Sequence, residues 1–192
     1  MSKEVSKKES RIVGTTVLLV GTGFLMSNVP SGNLPLLAFN LSLALISYAL
    51  FYYFWKTTKH HSKRYFSLLS FVMLNCMAIH FAIPLLRMYY LTLTFWIGLV
   101  VLIAMIVTPY FYSRKIAASH HHPEKSPLAK VYTVYVILVL GFGGAAYSDA
   151  LYTQNPDALT LAIFAYLLSL LFLFVSPMLL IKPAEMKQIA KK

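Results

Sequence analysis

Within the long apolar stretches of this 192-residue chain, one residue among Asp, Glu, Lys, Arg and His is present: His80. Cys76 lies one helical turn before it and Asn75 is adjacent to the cysteine. A four-residue separation puts thiol and imidazole on one helix face. Such a pair could begin either a metal site or a nucleophile-base couple. A closed zinc shell takes four ligands, and two without a carboxylate or a third nitrogen do not complete it. Nucleophilic catalysis needs a further group to orient the base, and the sequence offers none beside His80. Counting inward from the same end of the other apolar stretches gives Thr22, Asn40, Trp96, Gly143 and Tyr166 at similar depth. The expectation is a polar layer of Thr22, Asn40, Asn75, Cys76, His80 and Tyr166. It either bonds helices together, which is the preferred reading, or lines an outward-facing pocket. Pro84, four residues after His80, has no N–H to give to the His80 carbonyl.

The remaining histidines form two clusters, His60-His61 and His120-His121-His122. Imidazole suits zinc, nickel and copper. Consecutive histidines in strongly basic loops repel a cation, however, so solvated loops are expected and metal handling is kept as an alternative. Enzyme motifs are missing: there is no GxSxG, no HExxH and no intramembrane Asp pair. One cysteine excludes an internal disulfide or a CxxC redox pair. A haem would ordinarily require more than one histidine within the apolar stretches. No cofactor, resident metal or catalytic role is expected.

The elements that must position these residues are helices in a membrane. The chain is 58% hydrophobic and 12% charged, against about 25% charged in soluble domains. Six apolar stretches run approximately over residues 12–29, 34–55, 65–86, 90–112, 131–148 and 159–181, each near the ~20 residues that cross a ~30 Å hydrocarbon core. The first follows a basic segment but lacks a small-x-small cleavage site, so it is expected to remain as a span. The 17 basic residues divide into four clusters of four, with Arg87 left over. They are Lys3, Lys7, Lys8 and Arg11; Lys56, Lys59, Lys63 and Arg64; Arg114, Lys115, Lys125 and Lys130; and Lys182, Lys187, Lys191 and Lys192. Basic loops stay cytoplasmic, which predicts a cell-membrane protein with both termini inside. Placed at helix ends, these charges suit anionic lipid headgroups rather than nucleic acid, which needs them gathered on one folded surface. Aromatic residues collect at the same levels, as in Phe51 to Trp55 and Tyr110 to Tyr112.

Short loops make sequence neighbours pack antiparallel, so a single all-α domain over residues 1–192, built as three hairpins, is expected. Gly141, Gly144 and Ala145 in the fifth stretch supply a candidate helix-packing face, with Gly141 and Ala145 in small-xxx-small spacing. The fourth and sixth stretches share Leu-Thr-Leu at their starts and Val-Thr/Ser-Pro near their ends at a constant offset of 68 residues, a weak sign of duplication. The function expected is non-enzymatic: binding another membrane protein or assembly, or self-association. A binder or transporter of a small apolar or neutral solute is the alternative.

Overall fold

The computed structural model describes residues 4–121, 123–152 and 157–189. Lys3, His122, the Asn155-Pro156 turn, Lys191 and Lys192 lie outside the described residues. The apolar runs become α1 (Ile12–Ser27), α2 (Leu34–Thr58), α3 (Ser62–Met88), α4 (Leu93–Phe111), α6 (Pro127–Tyr152) and α7 (Ala158–Val175). Two short helices join them at the basic end, α5 (Ser113–His121) and α8 (Pro183–Ile189). Helices α2 and α7 start where a side chain takes the unpaired N–H groups. Asn33 accepts from the Leu36 N–H at 2.9 Å, with Pro35 in the first turn of α2. Asp157 accepts from the Thr160 hydroxyl and from the N–H groups of Leu159 and Thr160. Those bonds, the Thr160 hydroxyl's first, hold the Asp157 carboxyl below its ordinary pKa.

Among the described residues, five helices are long and apolar enough to cross a membrane: α2, α3, α4, α6 and α7 with its extension to Leu180. The first apolar stretch yields only the 16 residues of α1, about 24 Å at 1.5 Å per residue, short of a ~30 Å core. Its shortness has local causes. Arg11 enters the helix in the left-handed region at φ 58°. At the other end Asn28 turns its amide back on the Phe24 carbonyl at 2.8 Å.

The packing departs from three self-contained hairpins. α1 and α2 do pair, as do α6 and α7, but α3 packs foremost against α7, and α4 leans on α7 more than on α3. Small side chains are the reason. Ala78 and Ala82 of α3, and Ala162, Ala165 and Ser169 of α7, are all buried, so the two backbones can approach closely. The outer helices α2, α4 and α6 keep broad apolar faces exposed, as lipid-facing helices do.

Hydrogen bonds bring the described members of all four basic clusters to one end of the bundle. The Val5 N–H donates to the Lys59 carbonyl at 2.9 Å, and the Trp55 indole donates to the Val5 carbonyl at 3.0 Å. The Tyr65 hydroxyl donates to the Ser10 carbonyl at 2.7 Å, while its neighbour Arg64 donates to the Leu180 carbonyl at 2.8 Å. Arg114 pairs with Glu185 at 2.7 Å, tying α5 to α8. Lys59 pairs with Glu4 at 2.9 Å and is the main reason that the Glu4 carboxyl sits below its ordinary pKa. Both ends of the described chain therefore share this end. Arg87 is at the opposite end, where its guanidinium clasps the α1–α2 loop through the Ser31 carbonyl at 2.7 Å and the Ser31 hydroxyl at 3.1 Å.

Candidate functional site

The polar layer is assembled around a close approach of α1, α2 and α3. At Gly23 an added Cβ would lie 3.1 Å from Asn40 Cβ and 3.2 Å from His80 Cε1. Hydrogen at this position is therefore what lets the three helices meet. Ser27, one turn on, completes a small-xxx-small pair with Gly23. The Asn40 amide donates to the Gly23 carbonyl at 3.1 Å and to Ser27 Oγ at 3.0 Å. Thr22 Oγ1 lies 3.2 Å from His80 Nδ1, and Cys76 Sγ lies 3.7 Å from His80 Nε2. Asn40 and His80 have no exposed surface. Thr22, Asn40, Cys76 and His80 thus form one closed cluster from three helices.

Asn75 and Tyr166 stand apart from that cluster. Asn75 turns back on its own helix, donating to the Phe71 carbonyl at 2.8 Å. The Tyr166 hydroxyl crosses to α4 and donates to the Gly98 carbonyl at 2.6 Å. Trp96 is half exposed. Gly143 faces α7, where an added Cβ would come within 2.7 Å of the Phe164 ring. Among the described residues, two buried side-chain polar atoms have no hydrogen-bond partner: Asn40 Oδ1 and Ser169 Oγ.

Gly141 and Gly144 look outward. A Cβ at either position meets nothing within 4 Å, and Ala145 beside them is exposed. Val134, Ile137 and Leu138 continue the same exposed stripe toward the basic end. Among the described residues, nothing covers Gly141 or Gly144.

A second feature was not foreseen from the sequence. α4 and α6 each pack on α7 rather than chiefly on one another. The space between them is a cleft of about 800 Å³ at the basic end, walled by Met105, Pro109, Leu128 and Phe174 with Lys115 and Ser126 at its polar side. A narrower part of about 300 Å³ runs on between Val101 and Val131 to Tyr135 and Leu170. No periodicity announces such a gap, because it arises from where two helices fail to meet.

The histidines remain dispersed. His60 Nδ1 lies 3.7 Å from Glu4 Oε2, and His120 borders a separate hollow with Pro123 and Thr133. Among the described residues, no three side chains from His, Cys, Asp and Glu are grouped closely enough to hold a metal ion. No protein-family model matches the chain, and neither a curated protein nor a solved structure does.

Proposed function

We propose that this chain is a non-enzymatic, multi-pass protein of the cell membrane that works by binding another membrane protein or assembly through the outward face of α6. In this reading the chain passes the membrane six times, α1 included, with both termini cytoplasmic. The one-sided basic end supports that orientation.

One observation carries the binding proposal: the stripe of Val134, Ile137, Leu138, Gly141, Gly144 and Ala145 is exposed, and the glycines face open space. A glycine inside a helix costs about 1 kcal/mol relative to alanine. Gly23 and Gly143 offset that cost with close packing inside the chain. Of the four glycines that meet open space, Gly14, Gly21, Gly141 and Gly144, Gly141 has a small residue four positions on, at Ala145, in the small-xxx-small spacing that a second helix could use, and Gly14 and Gly21 have none. A small-residue surface is what close helix–helix approach in a bilayer requires.

A small-solute function at the polar layer has less support. Asn40 and His80 have no exposed surface, so a solute would reach them only if the helices parted. A metal-handling role through the cytoplasmic histidines is weaker still, because the clusters lie on separate elements. The test is a photo-reactive residue placed at Ala145 or at Gly14, whose Cβ also meets open space. Irradiation in native membranes is expected to give one discrete protein adduct from position 145 and none of that mass from position 14. Identical adduct patterns from both positions would count against the proposal.

A further inference from the structure

We infer that the cleft between α4 and α6 binds one anionic phospholipid, with an acyl chain lying on α7 and the phosphate held at Lys115 and Ser126. This goes beyond the protein-binding reading and does not depend on it.

The deep part of the cleft is hydrocarbon in character. Its walls include Val101, Val131 and Leu170. Of the two tyrosines that line it, Tyr135 is already engaged, donating to the Leu167 carbonyl at 2.7 Å, and Tyr132 stacks its ring on Phe174. Water held there would lack the two to four polar partners it needs. On the α4 side the deep part runs from Val101 to Met105, a rise of about 6 Å at 1.5 Å per residue. A second protein helix, ~10 Å across, would need roughly 470 Å³ over that length. The deep part offers about 300 Å³, which suits a single chain of methylenes and not a helix.

The mouth has the opposite character. Lys115 lines it, with its ammonium 5.4 Å from the Tyr112 ring centroid. The neighbouring Arg114 is taken up by Glu185. Among the described residues, no carboxylate pairs with Lys115. Ser126 adds a hydroxyl on the facing side. A cation and a hydroxyl at the membrane-interface end of an apolar slot match a phosphate followed by an acyl chain. A zwitterionic lipid fits the slot but brings a cationic headgroup beside Lys115.

Native mass measurement on delipidated protein, titrated with dioleoyl-phosphatidylglycerol or dioleoyl-phosphatidylcholine, tests this. The expected result is a plateau at one phosphatidylglycerol per chain, bound at least fivefold more tightly than phosphatidylcholine. Lys115→Ala should weaken phosphatidylglycerol at least fivefold and leave phosphatidylcholine unchanged. Val131→Trp, which fills the slot, should abolish both. Lys56→Ala removes an exposed charge at the same end but away from the cleft, and should have no effect. Folding of each variant is followed by thermal aggregation, and if Val131→Trp does not fold, Val101→Phe closes the slot from the opposite wall. Lipid retention unchanged by filling the slot would overturn the inference. Equal losses in Lys56→Ala and Lys115→Ala, or no one-lipid plateau, would do the same.

Discussion

Thr22 on α1 and His80 on α3 meet at 3.2 Å between Oγ1 and Nδ1, 58 positions apart in sequence. The Thr22 hydroxyl already donates to the Leu19 carbonyl at 3.1 Å, so toward His80 it acts as acceptor. The other ring nitrogen, Nε2, lies 3.7 Å from Cys76 Sγ one turn back on α3.

Asparagine at position 80 keeps a donor and an acceptor, whereas leucine leaves Thr22 Oγ1 only its bond to the Leu19 carbonyl and removes the link between α1 and α3. His80→Leu should therefore destabilise the protein by about 1 to 2 kcal/mol more than His80→Asn, read from unfolding in detergent. A cysteine at position 80, in a Cys76→Ser background, should resist a small polar thiol reagent added outside. Equal stability of the two His80 variants, or rapid labelling, would contradict a closed cluster.

Two glycines on one helix make opposite predictions. Gly23→Ala pushes a methyl to 3.1 Å from Asn40 Cβ and should cost about 1 to 3 kcal/mol through overpacking. Gly21→Ala, which meets open space, should be neutral or stabilising by up to about 1 kcal/mol. Thermal unfolding of the pair checks the close approach directly.

Ser169 of α7 is buried with its hydroxyl unpartnered. Removing an unsatisfied hydroxyl relieves a desolvation cost. Ser169→Ala should leave stability unchanged or raise it. A loss above about 1 kcal/mol would show that the hydroxyl has a partner in the membrane.

The basic end carries the orientation proposal. A cysteine at exposed Glu124 should label only from the cytoplasmic side, and one at exposed Gly32 only from outside. Both are measured in sealed cells with an impermeant reagent, in the Cys76→Ser background. External labelling at position 124 would reverse the orientation.

Helix type and approximate extent were legible in the sequence because apolar length alone specifies a transmembrane helix. The grouping of Thr22, Asn40, Cys76 and His80 was legible too, since equal depth in a bilayer limits which polar residues can meet. Which of them meet was not. Asn75 and Tyr166 share the depth, but helix rotation aims them at Phe71 and Gly98. Gly23 and Ser27 were missed as parts of the cluster although their four-residue spacing was visible.

The offset-68 pattern illustrates the same limit. Thr108-Pro109 stays within α4, whereas Ser176-Pro177 opens a 3-10 turn over Ser176–Leu180. α3 makes the difference. Ser67 donates to the Leu179 carbonyl and Arg64 to the Leu180 carbonyl, so the altered backbone finds partners that α4 lacks. Similarly, the α3–α7 pairing rests on alanines at ordinary spacing, and nothing local in either helix identifies the other as its neighbour.

The most direct test of the central claim is native mass measurement after gentle extraction, comparing the unmodified chain with Gly141→Leu and Gly21→Leu. Both variants add the same bulk to an exposed, open glycine, so folding should be equal and only an intermolecular contact can distinguish them. The account expects a discrete complex, with another protein or a second copy, from the unmodified chain and from Gly21→Leu, and its loss in Gly141→Leu. A chain that leaves the membrane alone, or a complex that survives Gly141→Leu intact, would contradict it.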